Sequence, residues 1–197
     1  MTRARNSLPP TYFEEMFAGD PDPWSFETSG YEKAKYDHTL ASLGDRRYRY
    51  ALEIGCANGV LTQRLAGHCD KLLAIDVSET ALASASSRCA AQANALFARV
   101  NFPAKMPDRA SFDLIVLSEV AYYWDDADLD LAARRLLDLL AIGGDLILVH
   151  WTGETDYPQS GDGAVENLRL ATEFALDPIL SDRRAHYRID LWRRRPA

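Results

Sequence analysis

The sequence predicts one α/β domain: a Rossmann-like, seven-stranded, mostly parallel sheet with helices on both faces, an antiparallel last strand and an N-terminal helical cap. Three observations predict it. From residue 49 onward, short apolar runs alternate with helical stretches, the pattern of a parallel sheet with crossover helices. The run DLIVLS is apolar on successive residues, as a strand covered on both faces requires. A loop of small residues, Gly55 to Gly59, follows the first strand of this series, where open α/β sheets bind their ligands.

The elements follow in order. Residues 1–48 hold Pro9, Pro10, Pro21 and Pro23 among aromatics and read as a helical cap with an aromatic loop. A helix fits 31–43, with Thr28 or Ser29 near its N-cap. The core of 49–197 begins with a strand at 50–54, a helix at 60–68 and a strand at 71–76. An Ala-rich helix over 79–93 has Ser78 as N-cap, and a short strand follows at 96–100. The buried strand spans 113–118. The next helix, 126–141, carries Asp126 and Asp128 in its first turn and Gly143-Gly144 past its end. A strand at 145–151, a Gly-rich loop over 152–163 and a helix at 164–175 follow. Strands at 176–183 and 186–193 lie close enough for an antiparallel hairpin. The terminal run Arg193-Arg194-Arg195 reads as a solvated tail.

Composition narrows the function. The chain has 197 residues, 47% apolar and 26% charged, so it can bury roughly 70% of its unfolded surface around one core. A net charge of -7 argues against a general nucleic-acid binder. Cys56, Cys69 and Cys89 are odd in number and show no metal spacing, which suits a reducing compartment and predicts no metal site. No apolar run is long enough for a membrane span. The expectation is a cytoplasmic protein that engages neither membrane nor nucleic acid.

The loop narrows it further. A dinucleotide fingerprint, G-x-G-x-x-G, would place Gly55, Ala57 and Val60 at its glycines, and two of the three fail. Acid-x-G-x-G-x-G fits better, with Glu53, Gly55, Ala57 and Gly59 and one substitution. A carboxylate at Glu53 suits a cationic ligand rather than a phosphate. Asp76, at the end of the second strand, can accept both hydroxyls of a ribose. Taken alone, Asp76 supports a nucleoside without choosing the cofactor.

The segments LEIGCANG, LLAID, FDLIVLSEV and LLAIGGDLILVHW resemble the successive motifs of class I S-adenosylmethionine (SAM)-dependent methyltransferases. The segments DPWSFETSGYEKAKYDHTL, SEVAYYW, TGETDYPQSGD and HYRIDLWRRR further resemble the nodulation protein S family. That resemblance implies SAM as cofactor, S-adenosylhomocysteine (SAH) as product, and N-methylation of a deacetylated amino sugar or chitooligosaccharide. An O-methyltransferase, or a SAM-binding module without catalysis, is the alternative. Glu53, Gly55, Cys56, Ala57, Gly59, Asp76, Val77 and Ser118 would line the cofactor site. Asn101, where an Asp is common, and the Phe102 backbone would meet the adenine edge; an Asn carbonyl can accept the same hydrogen bond. Trp24, Tyr31 and Tyr36 could close over SAM and the acceptor or simply pack the cap helix onto the sheet, an aromatic face near the sulfonium being favourable, and Lys35 is a candidate for the methionine carboxylate. Glu119, Tyr122 and His150 follow strand ends at the edge expected to face the methyl group. An attacking amine must first lose a proton, so Glu119 or His150 could serve as base, or each could be structural. The loop bearing Asp156 and Tyr157 is either a lid or a surface excursion.

Overall fold

In the computed structural model, which describes residues 3–107 and 111–196, seven strands form one sheet in the order β3-β2-β1-β4-β5-β7-β6. The elements are α1 (Pro10–Gly19), α2 (Gly30–Ser42), β1 (Ala51–Ile54), α3 (Val60–Leu65), β2 (Leu72–Asp76), α4 (Glu79–Arg88), β3 (Ala95–Arg99), β4 (Phe112–Ser118), α5 (Asp126–Leu139), β5 (Leu140–Trp151), α6 (Gly161–Thr172), β6 (Leu176–Arg183) and β7 (Tyr187–Arg194). β7 runs antiparallel to both β5 and β6, while the β1–β2, β2–β3 and β4–β5 pairings are parallel. The expected sheet and terminal hairpin are therefore present. The chain divides into two compact units, Pro9–Asn101 and Met1–Leu8 with Phe102–Ala197.

In the unit Pro9–Asn101, β1 is buried at all four positions and stands in register with β2 from Ala51↔Leu72 to Ile54↔Ile75. A strand covered on both faces has no polar side to alternate with, hence ALEI and LLAID. α2 starts where Ser29 accepts the Glu32 amide, and α4 where Ser78 accepts that of Ala81. α1 begins with a proline in its first turn, where the missing N–H goes unnoticed. Its Glu14 accepts the Thr80 hydroxyl at 2.6 Å and so ties α1 to the first turn of α4. α4 stops at Arg88, short of the expected Ala93. The Asn94 side chain just beyond donates to the carbonyls of Ala66 and Cys69, both at 2.9 Å, and holds the chain out of the helix.

In the other unit, Ile115, Val116 and Leu117 of β4 stand opposite Leu146, Ile147 and Leu148 of β5, all at most 1% exposed. Three expectations are corrected here. β5 begins at Leu140, not 145, because Leu140 already pairs with Phe112 and Gly143-Gly144 lie inside the strand, where the register shifts. α6 begins at Gly161, not 164, because the Ser160 hydroxyl accepts the Gly163 amide and caps it. The terminal arginines are not a free tail. β7 runs to Arg194, Arg193 forks onto fully buried Asp145 at 2.7 and 3.1 Å, Arg194 donates to the Leu137 and Leu140 carbonyls, and Arg195 pairs with Asp177 at 2.7 Å.

Candidate functional site

The loop after β1 is built by Asp76. Its Oδ2 accepts the Ala57 amide at 2.9 Å and its Oδ1 accepts the Ser78 amide at 3.0 Å, so one carboxylate at the end of β2 shapes two turns. Gly55, Ala57 and Gly59 all have left-handed backbones, with φ of 77°, 49° and 81°. That repeat explains the glycine spacing, and Ala57 takes the same conformation at some steric cost. Gly59 also lies against α4: a Cβ there would sit 2.8 Å from the Ala85 Cα.

Glu53 and Asp76 are brought together as a pair of buried acids. Glu53 is 3% exposed, and its Oε2 has no hydrogen-bond partner among the described residues. Burial pushes its carboxyl up to about 8, helped by the nearby Asp76 charge and opposed by the Thr62 hydroxyl. Asp76 is also raised by burial, against the pull of the Ser78 and Ala57 amides. Cys56 is buried beside both acids, and burial and their charge drive its thiol well above the ordinary range. That leaves it a packing residue rather than a nucleophile. Val77 accepts from the Arg99 side chain at 3.1 Å through its carbonyl.

The sequence reading missed Asn58 and Asp22. Asp22 accepts the Phe26 and Glu27 amides at 2.8 and 3.1 Å and the Asn58 side-chain amide at 3.1 Å. Asn58 is 1% exposed, its Oδ1 has no partner among the described residues, and Arg88 holds its carbonyl at 2.8 Å. The aromatic segment is thereby fastened to the glycine loop. A DPW turn ahead of a helix was the available signal for Asp22; nothing local marks its partner.

Trp24 belongs to an aromatic chain with Phe17 (5.6 Å), Phe26 (5.4 Å) and, through Phe26, Tyr36. Tyr31 and Lys35 meet on one face of α2, the ammonium 5.3 Å from the ring centre. Lys35 is 2% exposed and paired with Glu32 at 2.9 Å. Asn101 is exposed at the end of its unit. Phe102 opens the other unit, is buried and packs on Trp124 with ring centres 5.7 Å apart.

In that second unit, Ser118 ends β4 opposite Val149, and Glu119 follows with φ of 57°. Glu119 Oε2 accepts the Tyr122 hydroxyl and the Trp151 amide, both at 2.8 Å. Tyr122 stacks on Tyr157 at 5.5 Å and 10° and meets Tyr123 and His150 edge-on. Burial, with the Glu119 charge beside it, lifts its phenol well above the usual range, so it serves as a donor and not as a phenolate. His150 is fully buried, and its Nε2 accepts the Ala121 amide at 3.2 Å. Glu119, Tyr122 and His150 thus form one cluster. The 152–160 loop is pinned to it: Gln159 donates its amide to the Tyr122 carbonyl, and Ala4 and Arg3 donate to the carbonyls of Asp156 and Tyr157. Among the described residues, no three His, Cys, Asp or Glu side chains gather as a metal site, and no helix is long and apolar enough to cross a membrane.

Strand order, the glycine loop after β1 and an acid at the tip of β2 define the Rossmann-like fold of the methyltransferases. A family model of nodulation protein S matches residues 14–154, and the chain belongs to that family. Nodulation protein S of Rhizobium tropici is 36% identical over 128 residues, 64% of this chain and 53% of that protein. The chain therefore spans about half the length of this curated relative. The N-methyltransferase NodS of Bradyrhizobium japonicum WM9, solved with SAH, matches with a TM-score of 0.78 and 26% identity, over 93% of this chain and 97% of that one. A candidate methyltransferase from Pseudomonas syringae matches at 34% identity and a TM-score of 0.73, over 84% of this chain and 100% of that one.

Proposed function

We propose that the chain transfers a methyl group from SAM to the amine of a small molecule, a deacetylated amino sugar or chitooligosaccharide being the acceptor its family membership favours. Glu53 carries the reading: a buried carboxyl oxygen with no hydrogen-bond partner among the described residues waits beside the glycine loop for a cationic group. The residues fit an adenosyl ligand. Asp76 retains acceptor capacity for a ribose, Glu53 and the Asn58 side-chain Oδ1 accept from the ligand's amino group, and Gly55, Cys56, Ala57, Gly59 and Val77 let the backbone come close. Asn101 takes the adenine edge. Trp24 and Tyr31 offer aromatic faces to positive charge. A ligand carboxylate at Lys35 would share that ammonium with Glu32. SAM supplies a methyl on a sulfonium, which leaves by in-line displacement.

The protein's own work is to hold the acceptor and manage one proton. Glu119 accepts the proton of the incoming ammonium or holds the amine by it. Tyr122 and the Trp151 amide fix that carboxylate by two hydrogen bonds. His150 acts as a positioning residue, since its Nε2 is spent on the Ala121 amide that sets the turn carrying Tyr122. Three buried free thiols suit a reducing cytoplasm.

The test is incubation with labelled SAM and a panel of amines that includes glucosamine oligomers, with the label located by mass spectrometry. The label is expected on nitrogen. Label on a hydroxyl would make the chain an O-methyltransferase, and SAH binding without transfer to any acceptor would make it a non-catalytic module.

A further inference from the structure

Glu53 is an acid without a counter-ion. It lies on β1, with no ion pair to it among the described residues and its Oε2 shut off from water. The titratable groups that face it are Asp76 from β2, Cys56 from the loop and Cys89 from the end of α4. None of these is cationic, and only the Thr62 hydroxyl from α3 favours its ionised form. A carboxylate left in that surrounding would be desolvated, unpaired and repelled by Asp76.

Resting on the adenosyl-ligand reading above, we propose that Glu53 is the ligand-specificity residue of the loop: it stands as the neutral acid in the free protein and ionises only when a cationic amino group docks against it. The O–H bond of the carboxyl breaks, its proton passes to solvent, and the carboxylate pairs with the ammonium. The loop therefore reads the charge of its ligand and sheds one proton on binding. The raised carboxyl, up to about 8, agrees with this. Because binding favours the deprotonated acid, affinity rises with pH below that value, about tenfold per unit, and levels off above it.

The test is calorimetry of the full chain with SAH at neutral pH, in phosphate and in Tris, whose ionisation heats differ. The observed heat should differ between the buffers by close to one proton's worth, and affinity should fall about tenfold from pH 7 to pH 6. Methylthioadenosine, which lacks the amino group, should bind with no such difference. Glu53→Gln should abolish the difference for SAH. An infrared difference spectrum of the unaltered protein should lose a protonated-carboxyl band when SAH is added, a readout independent of any variant's folding. SAH binding with buffer-independent heat and no loss of that band overturns the proposal and leaves the ligand reading standing. A folded protein that binds no SAH overturns both.

Discussion

Gly59→Ala tests the geometry of the glycine loop with the least chemistry. Gly59 has φ of 81°, and an added Cβ would lie 2.8 Å from the Cα and 2.9 Å from the Cβ of Ala85. Ala85 is itself fully buried on α4, so the neighbour cannot swing aside; helix backbone has to move. The left-handed backbone costs a non-glycine residue about 1–2 kcal/mol. Overpacking against backbone adds about 1–3 kcal/mol. The alanine recovers about 0.5–1 kcal/mol through the unfolded chain. The net loss is about 1–4.5 kcal/mol, or roughly 2–18 °C in Tm for a domain of this size. Urea unfolding and thermal melts measure it. Gly67→Ala is the control, because Gly67 has nothing within 4 Å and no left-handed backbone, and should change stability by less than about 0.5 kcal/mol. If Gly59→Ala melts with its parent, either the contact with α4 or the left-handed turn is wrong, and the account of the glycine spacing goes with it.

Asp76→Asn turns one acceptor oxygen into a donor facing a backbone N–H. It should cost about 1.5–3 kcal/mol in unfolding and at least about tenfold in SAH affinity by calorimetry; a variant unchanged in both removes Asp76 from the site. Tyr122→Phe removes the phenol that donates to Glu119 and should lower kcat by up to about tenfold with SAM affinity intact. An equal effect on SAM affinity would place Tyr122 on the cofactor instead. Asp162 is held below the usual carboxylate range by Arg183 first and Arg188 second. Its contribution is present above its unfolded value near 3.9 and lost as pH falls through the depressed folded value. Urea midpoints of Asp162→Asn and its parent should therefore differ at neutral pH and converge below about pH 4; parallel curves would show that the pair contributes nothing.

Strands and caps were legible because their causes are local. The unbroken apolar runs of β4 and the N-cap serines at Ser29 and Ser78 announce themselves within a few residues. What escaped depends on distant partners. Leu140–Gly144 reads as the end of a helix with a glycine stop, and only pairing of Leu140 with Phe112 makes it strand. Ser160 is an ordinary N-cap, but Gly161 and Gly163 hide the helix it starts, since glycine lowers helix propensity. Glu53 and Asp76 are marked as candidates by their spacing to the glycine loop, and they lie near the carboxyl ends of β1 and β2. The Asn58–Asp22 tie spans 36 residues of sequence, and the Tyr122–Tyr157 stack joins a strand end to a loop, so neither has a local signature.

The loop breaks local rules in several places at once, and the breaks are connected. Ala57 holds a left-handed backbone that costs about 1–2 kcal/mol, yet its amide is the one Asp76 grips. A charge-assisted bond of about 1.5–3 kcal/mol is enough to hold that turn without a ligand. Asp76 therefore builds the loop before it meets any sugar hydroxyl. Glu53 contributes the opposite sign. Its raised value means the folded protein binds a proton that the unfolded chain has released, so stability falls as pH rises from the ordinary glutamate range toward about 8. One acid of the pair shapes the loop through the Ala57 and Ser78 amides, and the other has a carboxyl oxygen with no partner among the described residues. A cationic nucleoside is the ligand that satisfies both, because its sugar meets the acid already held in place and its ammonium relieves the one that is not.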